Sequence, residues 1–187
     1  LEAARTDKTK VLVLNSPSNP TGMIYSRQEL MAIGNWAVAH DVLILADDIY
    51  GRLVYNGNEF VPISSLSEAI RKQTIVINGV SKAYAMTGWR VGYAVGNPEI
   101  IAAMSKLTGQ TTSNLTAVSQ YATIEALTGP QDSVETMRQA FEERLNTIYP
   151  LLCQVPGFEV VKPQGAFYLF PNVKKAMEMK GYTDVTE

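Results

Sequence analysis

Lys82 and Arg90 stand eight residues apart in the stretch Val80-Ser81-Lys82-Ala83-Tyr84-Ala85-Met86-Thr87-Gly88-Trp89-Arg90. The amine of a lysine can form an imine with an aldehyde, and the planar guanidinium of an arginine can grip a phosphate through parallel donors. Together they suit a phosphorylated aldehyde. Two further polar clusters could serve such a molecule: Asn15-Ser16-Pro17-Ser18-Asn19-Pro20-Thr21-Gly22 and Asp47-Asp48-Ile49-Tyr50. Taken singly, each has a plainer reading. Lys82 is surface charge, Arg90 a salt bridge at the core edge, and Asn19–Gly22 a turn. Asp47-Asp48 is a solvated loop or a cap pair, and Tyr50 is packing. The fold decides, by bringing the clusters together or keeping them apart.

Three short apolar runs, Lys10–Leu14, Val42–Ala46 and Thr74–Ile77, recur with a period of about 32 residues, the size of one βαβ unit. Continuous apolar runs of this length suit strands of a parallel sheet buried on both faces. Between the first two, Ser26 and Glu29 have capping-box spacing, and Leu30, Ile33, Ala37 and Val38 continue at helical spacing to about His40. Ser67–Lys72 reads as a short helix, Tyr55–Asn58 as a turn, and Val91–Gly96 as a fourth strand. Asn97-Pro98 supplies an N-cap and an N1 proline for a helix through about Leu107, and a further helix, capped at or near Asn114, ends near Gly129-Pro130. Val134, Met137, Phe141, Leu145, Ile148 and Leu152 mark a long amphipathic helix that could bend near Pro150. Phe158–Val161 and Ala166–Phe170 read as two strands outside the parallel pattern. The division expected is therefore a sheet domain over residues 1–130 and, over 131–187, an interdomain helix with the start of a small α+β domain.

In open α/β sheets ligands bind beyond the carboxyl ends of the strands. If the three runs are neighbouring strands, the clusters at Asn15–Gly22, Asp47–Tyr50 and Gly79–Lys82 meet at one sheet edge. Pyridoxal phosphate needs a lysine for the imine and a carboxylate against its ring nitrogen. Asp47 is the better placed of the two aspartates, Asn19 and Tyr50 can donate to the phenolic oxygen, and Arg90 can hold the phosphate with help from Ser81.

Composition narrows the alternatives. The chain has 187 residues, is 46% hydrophobic and 18% charged, and carries sixteen basic against eighteen acidic residues. That supports a packed core and disfavours nucleic-acid binding, for which a basic surface is needed. One cysteine excludes an internal disulfide and fits a reducing, cytoplasmic setting, and with one histidine it leaves no His/Cys zinc site. No run is long enough for a transmembrane helix, so no membrane partner is expected. Cys153 is expected to be a small buried hydrophobe, and His40 to sit at a helix C-terminus. The chain opens on Leu1 and stops soon after beginning a new element, so it reads as an internal piece of a longer protein.

Asn19-Pro20-Thr21-Gly22, Asp47-Asp48-Ile49-Tyr50, Ser81-Lys82 with Arg90, and Gly165-Ala166-Phe167-Tyr168 occur in an order and spacing that resemble the fold-type I aminotransferases. The closest likeness is to the bacterial aspartate aminotransferase branch of class I, and it extends over essentially the whole chain. The resemblance implies an α/β, pyridoxal-phosphate-dependent transferase fold: a mostly parallel sheet with one antiparallel strand, helices on both faces, and the four strands adjacent. It implies Lys82 as the internal-aldimine lysine and proton shuttle, Asp47 at the ring nitrogen, Asn19 and Tyr50 at the phenolic oxygen, and Arg90 at the phosphate. Asn19–Pro20 is expected to be cis, and Asp48 stands where many relatives carry Glu. The resemblance also implies that a phosphate loop and a stacking aromatic precede Leu1, that a carboxylate-binding arginine follows Glu187, and that the parent is a homodimer.

The activity implied for the parent is transfer of an amino group between an amino acid, aspartate foremost, and a 2-oxo acid. The alternatives are a pyridoxal-phosphate-dependent carbon–sulfur β-lyase and a folded fragment that binds no cofactor. The chain alone is expected to be inactive.

Overall fold

In the computed structural model, which describes residues 1–184 and residue 186, four strands form one sheet in the order β1 (Val11–Asn15), β2 (Leu43–Asp47), β3 (Thr74–Gly79), β4 (Gly92–Val95). The first three are parallel, with Val13 opposite Leu45, Asn15 opposite Asp47, and Asp47 opposite Ile77. β4 runs antiparallel, pairing Ile77 with Ala94 and Gly79 with Gly92. This is the adjacency and the single reversed strand that the family resemblance implies. Because side chains alternate along a strand, Leu12, Leu14, Ile44 and Ala46 share one face. Helices α1 (Arg27–Ala39) and α2 (Glu68–Lys72) cover that face, and Leu30, Ala37, Ile63 and Ile70 complete its core. Each such Leu or Ile contributes about 1.5–3 kcal/mol through burial.

Val11, Val13, Asn15, Leu45, Asp47 and Ile77 lie on the other face. There Ile77, Gly92 and Ala94 look across a cavity of about 500 Å³ at Ile101, Met104 and Thr108 of α3 (Pro98–Thr111). Val13 is 65% exposed. Within this chain β1 is therefore buried on one face only, unlike the expectation for a continuous apolar run, because among the described residues helices cover it on that side alone.

Local signals start the helices where the sequence places them. Ser26 accepts from the Glu29 amide at 3.3 Å, and the Glu29 carboxylate accepts from the Ser26 amide at 2.7 Å. That closes the capping box of α1. Ser67 caps α2, and Asn97 caps α3 with Pro98 in its first turn. α4 (Ala117–Thr128) is capped by Thr116 rather than Asn114. His40 is the C-cap of α1, with its Nε2 3.3 Å from Glu2. No described helix is long and apolar enough to cross a membrane.

α5 (Asp132–Cys153) continues past Pro150 and packs Met137, Phe141 and Leu145 against Tyr50, Leu53, Tyr55 and Ala166. Arg138 fastens it to the turn after β2: its guanidinium donates to the Val54 carbonyl at 3.2 Å while bonding Glu135 and Glu142 at 2.9 and 2.5 Å. Cys153 is exposed, not buried, because the last turn of this amphipathic helix directs it outward, next to the partly buried Leu152. The two strands expected after α5 do not form. Among the described residues, pairing there is limited to a bridge between Glu159 and Asn172 and one between Val54 and Gly165. Ala166 has a φ of 58°, which interrupts an extended run. The amides of Gln164 and Gly165 both donate to the Gly22 carbonyl at 2.9 Å, and that of Ala166 to Leu53 at 2.9 Å, so they do not serve a neighbouring strand. α6 (Lys174–Lys180) follows. The expected second region runs on to Glu187, and of its last residues Val185 and Glu187 lie outside those described.

Gly22 is what lets this segment close on the loop after β1. Its φ is +69°, and a Cβ there would lie 2.6 Å from Pro163 Cβ and 2.7 Å from the Gly165 carbonyl oxygen. Gly22→Ala is expected to cost about 2 kcal/mol of stability, combining left-handed strain with overpacking. Urea unfolding of the purified chain measures this, and a loss below about 0.5 kcal/mol would contradict so tight a closure.

Candidate active site

The carboxyl ends of β1, β2 and β3 open on the face that carries Asn15 and Asp47. Parallel pairing sets these two opposite each other, and the Asn15 side-chain Nδ2 donates to the Asp47 backbone carbonyl at 3.2 Å. The Asn15 side-chain oxygen in turn accepts from the Asn19 amide at 2.7 Å, so the loop carrying Asn19 is tied to the strand ends. Asn19 itself is exposed, and the Asn19–Pro20 peptide is cis as expected; Ser16–Pro17 is cis as well.

Asp47 holds its side chain through Oδ1, which accepts from the Ile49 amide at 3.2 Å. It lines a cavity of about 280 Å³ together with Ser81 and Arg90, walled by Ile49, Ile77, Gly79 and Gly92. Arg90 is exposed, has a φ of 55°, and donates from Nη1 to the Thr87 carbonyl at 2.8 Å. Among the described residues it forms no ion pair. Just before it, the Trp89 carbonyl accepts from Ser119 Oγ at 3.3 Å, which fastens this turn to the start of α4.

Lys82 is half-buried in the loop after β3. Its Nζ stands 5.9 Å from the Tyr50 ring centroid and 5.6 Å from that of Phe167. Among the described residues its amine makes neither an ion pair nor a hydrogen bond, while its carbonyl accepts from the Ala85 amide at 3.3 Å. Arg90 thus shares a cavity with the Asp47 carboxylate, and Lys82 follows directly after Ser81 of the same lining.

Tyr50 is buried, at 3% exposure, and its hydroxyl is hydrogen-bonded to that of Tyr168. Burial and the nearby Asp47 charge raise the Tyr50 phenol above its ordinary range, so it stays a neutral phenol. Asp48, next to Asp47 but 7% exposed, has its carboxyl raised to about 7 by burial and by the Asp47 charge.

The structure thus gathers Asp47, Ser81 and Arg90 around one cavity, sets Lys82 beside Tyr50, and links Asn19 to Asp47 through Asn15. Asn15, Phe167 and Tyr168 were not singled out individually by sequence. Asn15 had a usable signal, as the last position of a strand in register with Asp47. Phe167 and Tyr168 stood in the Gly165–Tyr168 motif of the family resemblance, but the bond of Tyr168 to Tyr50, 118 residues away, left no local trace. The donor set fits a molecule with an anionic end for Arg90 and Ser81, a cationic ring nitrogen for Asp47, and an electrophilic carbon for an unpaired amine.

A family model described as aminotransferase class I and II matches residues 1–185. The asparagine–oxo-acid transaminase of Streptococcus mutans is 80% identical over 187 residues, which is all of this chain and 48% of that protein. The aspartate aminotransferase of Bacillus sp. strain YM-2 is 58% identical over the same span, again 48% of its length. The crystal structure of the aspartate aminotransferase from Rhizobium meliloti superposes with a TM-score of 0.90 at 40% identity, over 93% of this chain and 44% of that one. The chain spans about half the length of the curated relatives it matches.

Proposed function

The chain belongs to the class I and II aminotransferases, and on that premise we propose that the full-length protein containing it moves an amino group between aspartate or asparagine and a 2-oxo acid, using pyridoxal phosphate. One observation carries the reading: Asp47, Ser81 and Arg90 line one cavity at the carboxyl ends of parallel strands, with Lys82 next in the chain after Ser81 and its amine over the Tyr50 ring. The cofactor, when bound, supplies an electron sink for the pair left as the substrate Cα loses its proton. Arg90 and Ser81 would bind its phosphate, with the guanidinium fork matched to two phosphate oxygens. The Asp47 carboxylate would face the ring nitrogen and favour its protonated form. Asn19 and Tyr50 would donate to the phenolic oxygen. Lys82 would hold the cofactor through its amine and then, freed, move the proton from Cα.

The names of the relatives point to aspartate and asparagine, whose short side chains differ by one amide, and both are included for that reason. Val11 and Val13 remain exposed on the Asp47 face, which suits a site completed by further chain in a protein of the relatives' length. We also assign residues 1–130 to a cofactor domain and 131–187 to an interdomain helix with part of a small domain. The full-length protein is taken to be a cytoplasmic homodimer, and the chain alone to be inactive.

Incubation of the full-length protein with pyridoxal phosphate, borohydride reduction and peptide mass spectrometry should find the reduced adduct on the Lys82 peptide. Reaction with aspartate or asparagine should then require a 2-oxo acid for turnover. Pyruvate and ammonia released without an acceptor would replace amino transfer by β-elimination, and a protein lacking any adduct would be a folded remnant.

A further inference from the structure

We propose that Tyr168 is a positioning residue for this site: it donates its phenolic proton to Tyr50 and so leaves Tyr50's own proton free for the cofactor's phenolic oxygen. The inference rests on the reading above, in which Tyr50 faces that oxygen. The two hydroxyls are hydrogen-bonded to each other, and either could be the donor. Each phenol owns one proton but can also accept. Were Tyr50 to donate to Tyr168, it would have no proton left to give. With Tyr168 as donor, Tyr50 accepts and donates at once, and accepting polarises its O–H into a stronger donor.

The surroundings hold the pair in this relation. The Tyr50 ring meets Tyr168 edge-on at 5.7 Å and Phe167 edge-on at 5.4 Å, and Phe167 is stacked on Phe141 of α5 at 5.4 Å. The segment before Tyr168 is bonded to both loops that carry the phenolic-oxygen donors. Gln164 and Gly165 donate to Gly22, three residues from Asn19, while Tyr55 donates from its hydroxyl to the Ala166 carbonyl and from its amide to that of Gln164. The Asp47 charge acts on the Tyr50 phenol, and Lys82 Nζ lies 5.9 Å from the centre of its ring. Asp47 with burial keeps that phenol protonated, as a donor must be. Tyr168 needs to touch neither cofactor nor substrate to act.

A double-mutant cycle on the cofactor-loaded full-length protein tests this, with the visible absorbance of the bound cofactor followed against pH. A donor at the phenolic oxygen favours the form with more negative charge there, which is the deprotonated chromophore, so loss of the donor raises the midpoint. Tyr50→Phe should raise it by about 1 pH unit and Tyr168→Phe by about 0.3–0.5. Tyr168→Phe should add nothing in the Tyr50→Phe background. A Tyr168→Phe shift that persists undiminished in that background, or no shift where Tyr50→Phe gives one, overturns the inference alone. A midpoint unmoved by Tyr50→Phe removes the underlying reading and the inference with it. Melting of the cofactor-free variants separates this from loosened packing, which would lower Tm but leave the coupling between the two midpoint shifts absent.

Discussion

Lys82→Ala in the full-length protein is expected to lower the rate of amino transfer by about 10⁴-fold or more, while leaving the fold almost untouched. Both halves follow from where the side chain stands. The expected reaction needs an amine that can be covalently attached and later act as a base, and general-base loss alone is worth about 10²–10⁴-fold. Structurally, the ammonium contributes only its approach to Tyr50 and Phe167, at 5.9 and 5.6 Å. Cation–π contacts of that kind are worth about 0.5–1 kcal/mol at exposed sites, so the cofactor-free variant should melt within a few degrees of wild type. Lys82→Arg separates charge from chemistry. It keeps the positive charge beside the rings, but a guanidinium cannot lose its proton in a protein, so it should be as inactive as the alanine. Single-turnover absorbance changes with aspartate measure all three proteins. An arginine variant within tenfold of wild type would mean that Lys82 supplies charge alone.

Much of this site could be read from sequence because parallel pairing converts sequence periodicity into proximity. Once the apolar runs are neighbouring parallel strands, the residues at their carboxyl ends must meet, and Asn15, Asp47 and Gly79 do so through the register Asn15–Asp47–Ile77 and Gly79–Gly92. Helix starts were equally legible, since Ser26, Ser67 and Asn97 satisfy amides two or three residues away. The misreadings share the opposite property. Ala166–Phe170 has the composition of a strand, yet its backbone is fixed by Leu53 and by the φ of Ala166, neither of which leaves a local trace. The Tyr50–Tyr168 pair and the exposure of Cys153 likewise depend on how α5 and the following segment pack against the loop after β2.

Asp48 shows how one carboxylate can be specified and its neighbour suppressed. The Asp48 amide extends the β2–β3 ladder by donating to the Ile77 carbonyl at 2.9 Å, which carries the side chain into the protein rather than toward Arg90 and the cavity. Among the described residues no cation pairs with it. Burial and the adjacent Asp47 therefore raise its carboxyl from 3.8 to about 7. In the unfolded chain it ionises near the ordinary value, so between about pH 4 and 7 the folded state holds a proton that the unfolded state has released. The effect of Asp48 on stability is thus absent below pH 4, grows unfavourable as pH rises through that window, and is complete above 7. At about 1.4 kcal/mol per pH unit the upper bound is ~4 kcal/mol. Asp48→Asn keeps the shape and removes the titration. It should be close to wild type in urea at pH 4 and more stable by about 2–4 kcal/mol at pH 8. Parallel stability–pH curves for the two proteins would mean that water or a rearranged side chain solvates Asp48 after all, and that the sheet end is more open than its burial indicates.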